Sequence, residues 1–189
     1  MLNPVSKTNL DKVLKNIQTY SPHPSKVKII AVTKGFSSNA IISAISNKID
    51  NIGENKVQEF FNKQEKIKNQ KFTAHLIGHL QSNKIKKAVQ IFNIIQTIDS
   101  LNLAKKLNQH LLQINKKKHI FVQINIGKDR NKFGFLPETA FYQIEEIEKM
   151  SNLIISGTMT VLPYLKETSK AEQLFAKMQT LSNQIKTKI

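Results

Sequence analysis

An alternation kept from one end of the chain to the other constrains it most. Short apolar runs rich in β-branched residues are each followed by a longer segment of helical period. Runs apolar at nearly every position, not at every second one, suit a parallel sheet covered by helices on both faces, so the pattern implies an α/β fold. Six runs read as strands, over 27–33, 49–53, 73–78, 93–98, 119–125 and 153–160. Between them, Leu10, Val13, Leu14 and Ile17 form a helical stripe, and Ile85, Ala88, Val89 and Phe92 repeat its spacing. Ser82 or Asn83 is expected to cap the second of these helices, Ser100 the helix of Leu103, Leu107 and Leu111, and Pro137 to open the next. On the last helix Ala171, Leu174, Phe175, Met178, Leu181 and Ile185 share one face, read as core and not as cofactor contacts. No repeat, low-complexity linker or internal boundary breaks the pattern, so 1–189 is expected to be a single domain.

Composition excludes several classes of chemistry. Without cysteine there is no disulfide scaffold, thiol nucleophile or thiolate metal site. No apolar window reaches the length of a membrane span and the first residues lack a signal-peptide core, so a cytoplasmic location is expected. The net charge of +16 invites a nucleic-acid reading, yet Arg130 is the sole arginine, and base and phosphate recognition leans on the guanidinium fork. The dense runs Lys84, Lys86, Lys87 and Lys116 to Lys118 lack interleaved aromatics and read as solvated helix faces and a turn. Dinucleotide and P-loop glycine motifs, the nucleophile elbow and the zincin motif are all missing. His75 and His79 stand four apart, but on a strand and its loop, where that spacing does not join two imidazoles.

The glycines are more informative. Gly35, Gly53, Gly78 and Gly127 fall at or just beyond the carboxyl ends of expected strands, where parallel α/β folds keep their sites. Lys34 ends the first run, directly before Gly35. An amine held by a low-dielectric barrel mouth is depressed in pKa, and the neutral amine is the form that attacks an aldehyde. From position alone, a lysine leaving the strand for water is the commoner outcome. Asn55, after Gly53-Glu54, would present an amide from the second strand's carboxyl end. The stretch from His75 to Lys84 places a polar loop and a helix start after the third.

Taken in order, these blocks resemble the pyridoxal phosphate homeostasis proteins. The resemblance runs through Ala31-Val32-Thr33-Lys34, Gly53-Glu54-Asn55 with Val57-Gln58-Glu59, His75-Leu76-Ile77-Gly78 with Leu80-Gln81-Ser82-Asn83-Lys84, Thr97-Ile98-Asp99-Ser100, Val122-Gln123-Ile124-Asn125, Lys132-Phe133-Gly134 and Gly157-Thr158-Met159. It implies a TIM-barrel-like fold of the alanine racemase N-terminal kind, with pyridoxal 5'-phosphate (PLP) held as a Schiff base on Lys34. Asn55 would lie near the cofactor ring, with His75 and Met159 as strand-end neighbours. The role implied is intracellular PLP homeostasis without established catalysis. The partners implied are PLP itself and PLP-dependent apoenzymes, with no membrane or nucleic acid, and the chain a monomer or dimer.

The pattern also departs from that family. Six strands are expected where a barrel has eight, so the domain is expected to be C-terminally truncated, lacking the last two strands and the phosphate-binding segment that accompanies them. Gly35-Phe36 replaces the family's usual threonine and lysine. Three rival readings stay open: a racemase-like PLP enzyme, a truncated non-functional remnant, and a basic nucleic-acid-binding module.

Overall fold

The computed structural model describes residues 4–188. They fall into two compact units, divided in sequence between His75 and Leu76. The first holds α1 (Lys7–Tyr20), β1 (Ala31–Val32), α2 (Ser38–Ser46), β2 (Asn51–Glu54), α3 (Val57–Ile67) and β3 (Thr73–Leu76), whose last residue opens the second unit. Strands β1, β2 and β3 are neighbours in that order, β1 and β2 parallel with Ala31 opposite Ile52 and Val32 opposite Gly53. Ile41, Ala44, Ile52, Phe60, Ile67 and Ala74 form the core, and the Phe60 ring meets Phe72 edge-on at 6.3 Å.

The first strand is much shorter than its apolar run. A run becomes strand only where a partner's peptide groups meet it, and with Ala31 opposite Ile52 the partner begins at Asn51. Residues 27–30 therefore carry no regular structure, and Val27 and Val32 stay nearly half exposed, at 43% and 47%. The expected buried first strand is corrected to a short, partly exposed one. The stripe on α1 does form, but Val13 and Leu14 are exposed.

The second unit holds α4 (Ile85–Ile91), β4 (Ile94–Ile98), α5 (Leu101–Gln113), β5 (Lys118–Gln123), α6 (Ala140–Glu148), β6 (Leu153–Met159) and α7 (Thr168–Lys188). Its strands run β4, β5, β6, all parallel. Ser100 caps α5 as expected, its Oγ accepting the Leu103 N–H at 3.3 Å. The other two caps are corrected. Ser82 and Asn83 form a 3-10 turn with Lys84, so α4 starts without a side-chain cap, and Pro137 sits in a turn ahead of α6. On α7, Met178, Leu181 and Ile185 are buried while Phe175 is exposed. Lys118 is not merely a solvated charge: its Nζ donates to the carbonyls of Val89 at 3.1 Å and Phe92 at 2.7 Å, at the end of α4. Burial, then the charge of Lys116, lowers its pKa. Among the described residues no helix is long and apolar enough to cross a membrane.

Candidate functional site

Within the first unit, β1 ends in a tight turn. The Phe36 N–H donates to the Thr33 carbonyl at 3.2 Å, placing Lys34 and Gly35 at the two central positions. Gly35 has φ +76°, a conformation glycine adopts without the penalty of a Cβ. Lys34 is exposed, and its Nζ makes no ion pair or hydrogen bond to any described residue. The expectation of an amine desolvated by burial is thereby corrected: the turn that follows the buried Thr33 carries Lys34 to an exposed position.

Burial begins on the strand side of that lysine. Thr33 is 4% exposed; its N–H donates to the Gly53 carbonyl at 3.0 Å and its hydroxyl to Glu54 Oε1 at 2.7 Å. Lys63, on α3, sends Nζ to Glu54 Oε1 at 2.6 Å, to Glu59 Oε1 at 2.9 Å and to the Thr33 carbonyl at 3.0 Å. Glu59 Oε1 also accepts the Gly35 N–H at 2.6 Å. Partial burial pushes the Glu59 carboxyl up, but hydrogen bonds from Lys63 and Gly35, with the charges of Lys63 and Lys56, outweigh this and hold it below the usual glutamate range. Two carboxylates and one ammonium thus hold the residues on either side of Lys34, through the Thr33 hydroxyl and carbonyl and the Gly35 N–H. The second Glu54 oxygen, Oε2, is buried without a partner among the described residues.

Asn55 stands in a bend one residue past β2, half-buried, and its amide makes no hydrogen bond to any described residue. His75 lies elsewhere along the sheet. It is buried in β3 with Nε2 3.0 Å from Asn51 Oδ1, at the start of β2, whereas the Lys34 turn is tied to Glu54 at its end. Burial, then the charge of Lys28, lowers the His75 pKa and favours the neutral ring.

In the second unit Met159 is the last residue of β6, half-buried, opposite Gln123 of β5, with its carbonyl accepting the Ile124 N–H at 2.8 Å. His79 Nδ1 lies 2.6 Å from Asp99 Oδ2, and the imidazole stacks on Phe133 with centroids 4.0 Å apart and planes 10° from parallel. Asn125 shapes the loop after β5. Its amide nitrogen donates to the carbonyls of Asp129 at 2.8 Å and Lys132 at 3.2 Å, and its oxygen accepts the Asp129 N–H at 3.1 Å. Gly134, φ +124°, lies so close beneath that a Cβ would fall 2.7 Å from the Asn125 nitrogen. His75 and His79 take different partners, Asn51 and Asp99, as their spacing implies.

Comparison with known proteins fixes the lineage. Residues 8–189 match the family described as the alanine racemase N-terminal domain. A pyridoxal phosphate homeostasis protein of Synechocystis is 33% identical over 163 residues, covering 86% of this chain and 75% of that protein. The chain belongs to the pyridoxal phosphate homeostasis proteins, within the alanine racemase N-terminal domain family. PipY of Synechococcus elongatus, solved without and with PLP bound, matches with TM-scores of 0.84 and 0.81 at 29% and 27% identity, over 94% of this chain and 82% of PipY. An alanine racemase of Clostridium difficile matches at TM-score 0.78 over 96% of this chain and 50% of the racemase; at 17% identity this likeness concerns the fold alone. The fold is therefore the expected TIM-barrel-like α/β class, represented among the described residues by six parallel strands with helices.

Reading the sequence for chemistry missed Glu54, Glu59 and Lys63 as a group. The i, i+4 spacing of Glu59 and Lys63 was a usable signal, since such pairs meet on a helix face. Glu54 directly after Gly53 at the end of an apolar run was a second.

Proposed function

We propose that this chain binds PLP covalently through Lys34 and takes part in PLP homeostasis, holding the cofactor and releasing it to PLP-dependent apoenzymes without turnover of its own. The observation carrying this reading is the state of the Lys34 turn: Thr33 is held by Glu54 and Lys63 and Gly35 by Glu59, while the Lys34 amine has no partner among the described residues. The relatives named as PLP homeostasis proteins and PipY, solved with PLP bound, support it. The residues suit the group. Lys34 offers a primary amine, and Asn55 offers an amide with no partner among the described residues, both just past the carboxyl ends of neighbouring strands. PLP would supply an aldehyde. The amine nitrogen forms a C=N bond to its carbon, the carbonyl oxygen leaves as water, and no electron is transferred.

Asn55 would orient the ring by donating from its amide, and Met159, at the end of β6, is the apolar residue that the family resemblance adds. His75 is the weakest of the four, since its ring already serves Asn51. The reading includes a cytoplasmic location, action as one PLP-binding domain, and a monomeric or dimeric state. Titration of the purified protein with PLP tests it. An absorption band from the imine should grow to saturation in wild-type protein and be lost in Lys34→Ala, and indistinguishable titrations of the two proteins would refute it.

A further inference from the structure

The residues that grip the Lys34 turn have no role assigned by the reading above. Glu54 is fully buried and Lys63 is 7% exposed, so two charges have been taken out of water. Such burial carries a large desolvation cost for each ion, which ion pairing offsets only in part, and apolar side chains of similar size often serve stability as well. Fold stability therefore gives little reason for these residues. Their contacts give a better one: Lys63 donates to the Thr33 carbonyl, Glu54 accepts the Thr33 hydroxyl and Glu59 accepts the Gly35 N–H. The three side chains thus hold both residues adjoining Lys34. A Lys-Gly turn in solution samples many backbone states, because glycine is unrestricted.

We infer that Glu59, Lys63 and Glu54 are positioning residues that fix the Lys34 turn in the geometry from which its amine meets an aldehyde. This rests on the reading that Lys34 takes PLP. Held in advance, the turn has no ordering cost left to meet at the moment of binding. The three act through Thr33 and Gly35, leaving the Lys34 amine without a partner among the described residues.

The test compares Glu59→Leu, which removes acceptor and charge, with Glu59→Gln, which keeps an oxygen able to accept the Gly35 N–H. Glu59 lies at the margin of the cluster, so both variants are expected to fold. Two quantities are measured: exchange of the Gly35 amide hydrogen in cofactor-free protein, by NMR, and PLP affinity by absorbance. Glu59→Leu should raise Gly35 exchange and weaken PLP binding, each by about tenfold, the scale of one hydrogen bond to a charged acceptor. Glu59→Gln should recover most of both. An unchanged Glu59→Leu beside a wild type that forms its Lys34 adduct overturns the positioning role alone. Exchange rising equally across the whole of α3 also overturns it, since that marks general loosening. A wild type that forms no Lys34 adduct overturns the proposed function and this role with it.

Discussion

Two strand-exit loops in this protein are held by opposite means. The turn after β1 is fixed by charge: Lys63 bridges Glu54 and Glu59, and the three side chains grip Thr33 and Gly35. In the loop after β5 the buried tie is neutral, both ends of the Asn125 amide with the close approach of Gly134, while Asp129 accepts the Asn131 N–H and Lys128 pairs with Glu138 in solvent. A neutral clamp responds to shape alone. A buried charged one also responds to protonation and to loss of a counter-ion, so the Lys34 turn is the more sensitive of the two to such changes.

Removing the counter-ion should have the largest effect. Lys63→Met leaves the Glu54 charge buried without its partner, and breaking buried pairs in this way costs about 3 to 5 kcal/mol, so a large fall in the urea midpoint is expected. In the neutral loop, Gly134→Val sets a Cβ against the Asn125 backbone at a positive φ. Strain of this kind costs about 1 to 3 kcal/mol, which should be read as a fall in the urea midpoint at pH 7.

The pH arm sharpens the contrast. The folded pKa of Glu59 lies below its ordinary value, so its contribution is fully present above the usual glutamate range and is lost as pH falls through the folded value. Gly35 exchange, corrected for its intrinsic pH dependence, should therefore rise in that acid window in wild-type protein. In Glu59→Gln the rise should be absent. The smallest effect is at His75, whose folded pKa is also lowered. Stability should decline gently as pH falls from about 6.5 towards the folded value, and His75→Asn should flatten that part of the denaturation profile.

Much of the fold was legible because apolar periodicity survives any choice of tertiary detail. All six strands formed where the runs lie, and the Ser100 cap followed from its hydroxyl preceding a helical stripe. Where the reading went astray, non-local partners decided. The extent of β1 was set by where β2 begins, and Ser82 and Asn83 were drawn into a tighter turn. Lys118 found two carbonyls at the end of a helix that sequence alone could not place beside it. At the candidate site, Lys34 and Asn55 stood out as polar residues closing apolar runs. The charged clamp did not, because lysines and glutamates are ordinarily read as solvated; only the fold reveals that Glu54 and Lys63 are buried.

The central claim is that one amine, Lys34, takes the cofactor. Its most direct test is borohydride reduction of the PLP-treated protein followed by peptide mass mapping. The account expects a stoichiometric pyridoxyl-phosphate label on the peptide containing Lys34, with the other lysines unlabelled or labelled far below that level. A label scattered over surface lysines, or a Lys34 peptide recovered unmodified, would contradict it.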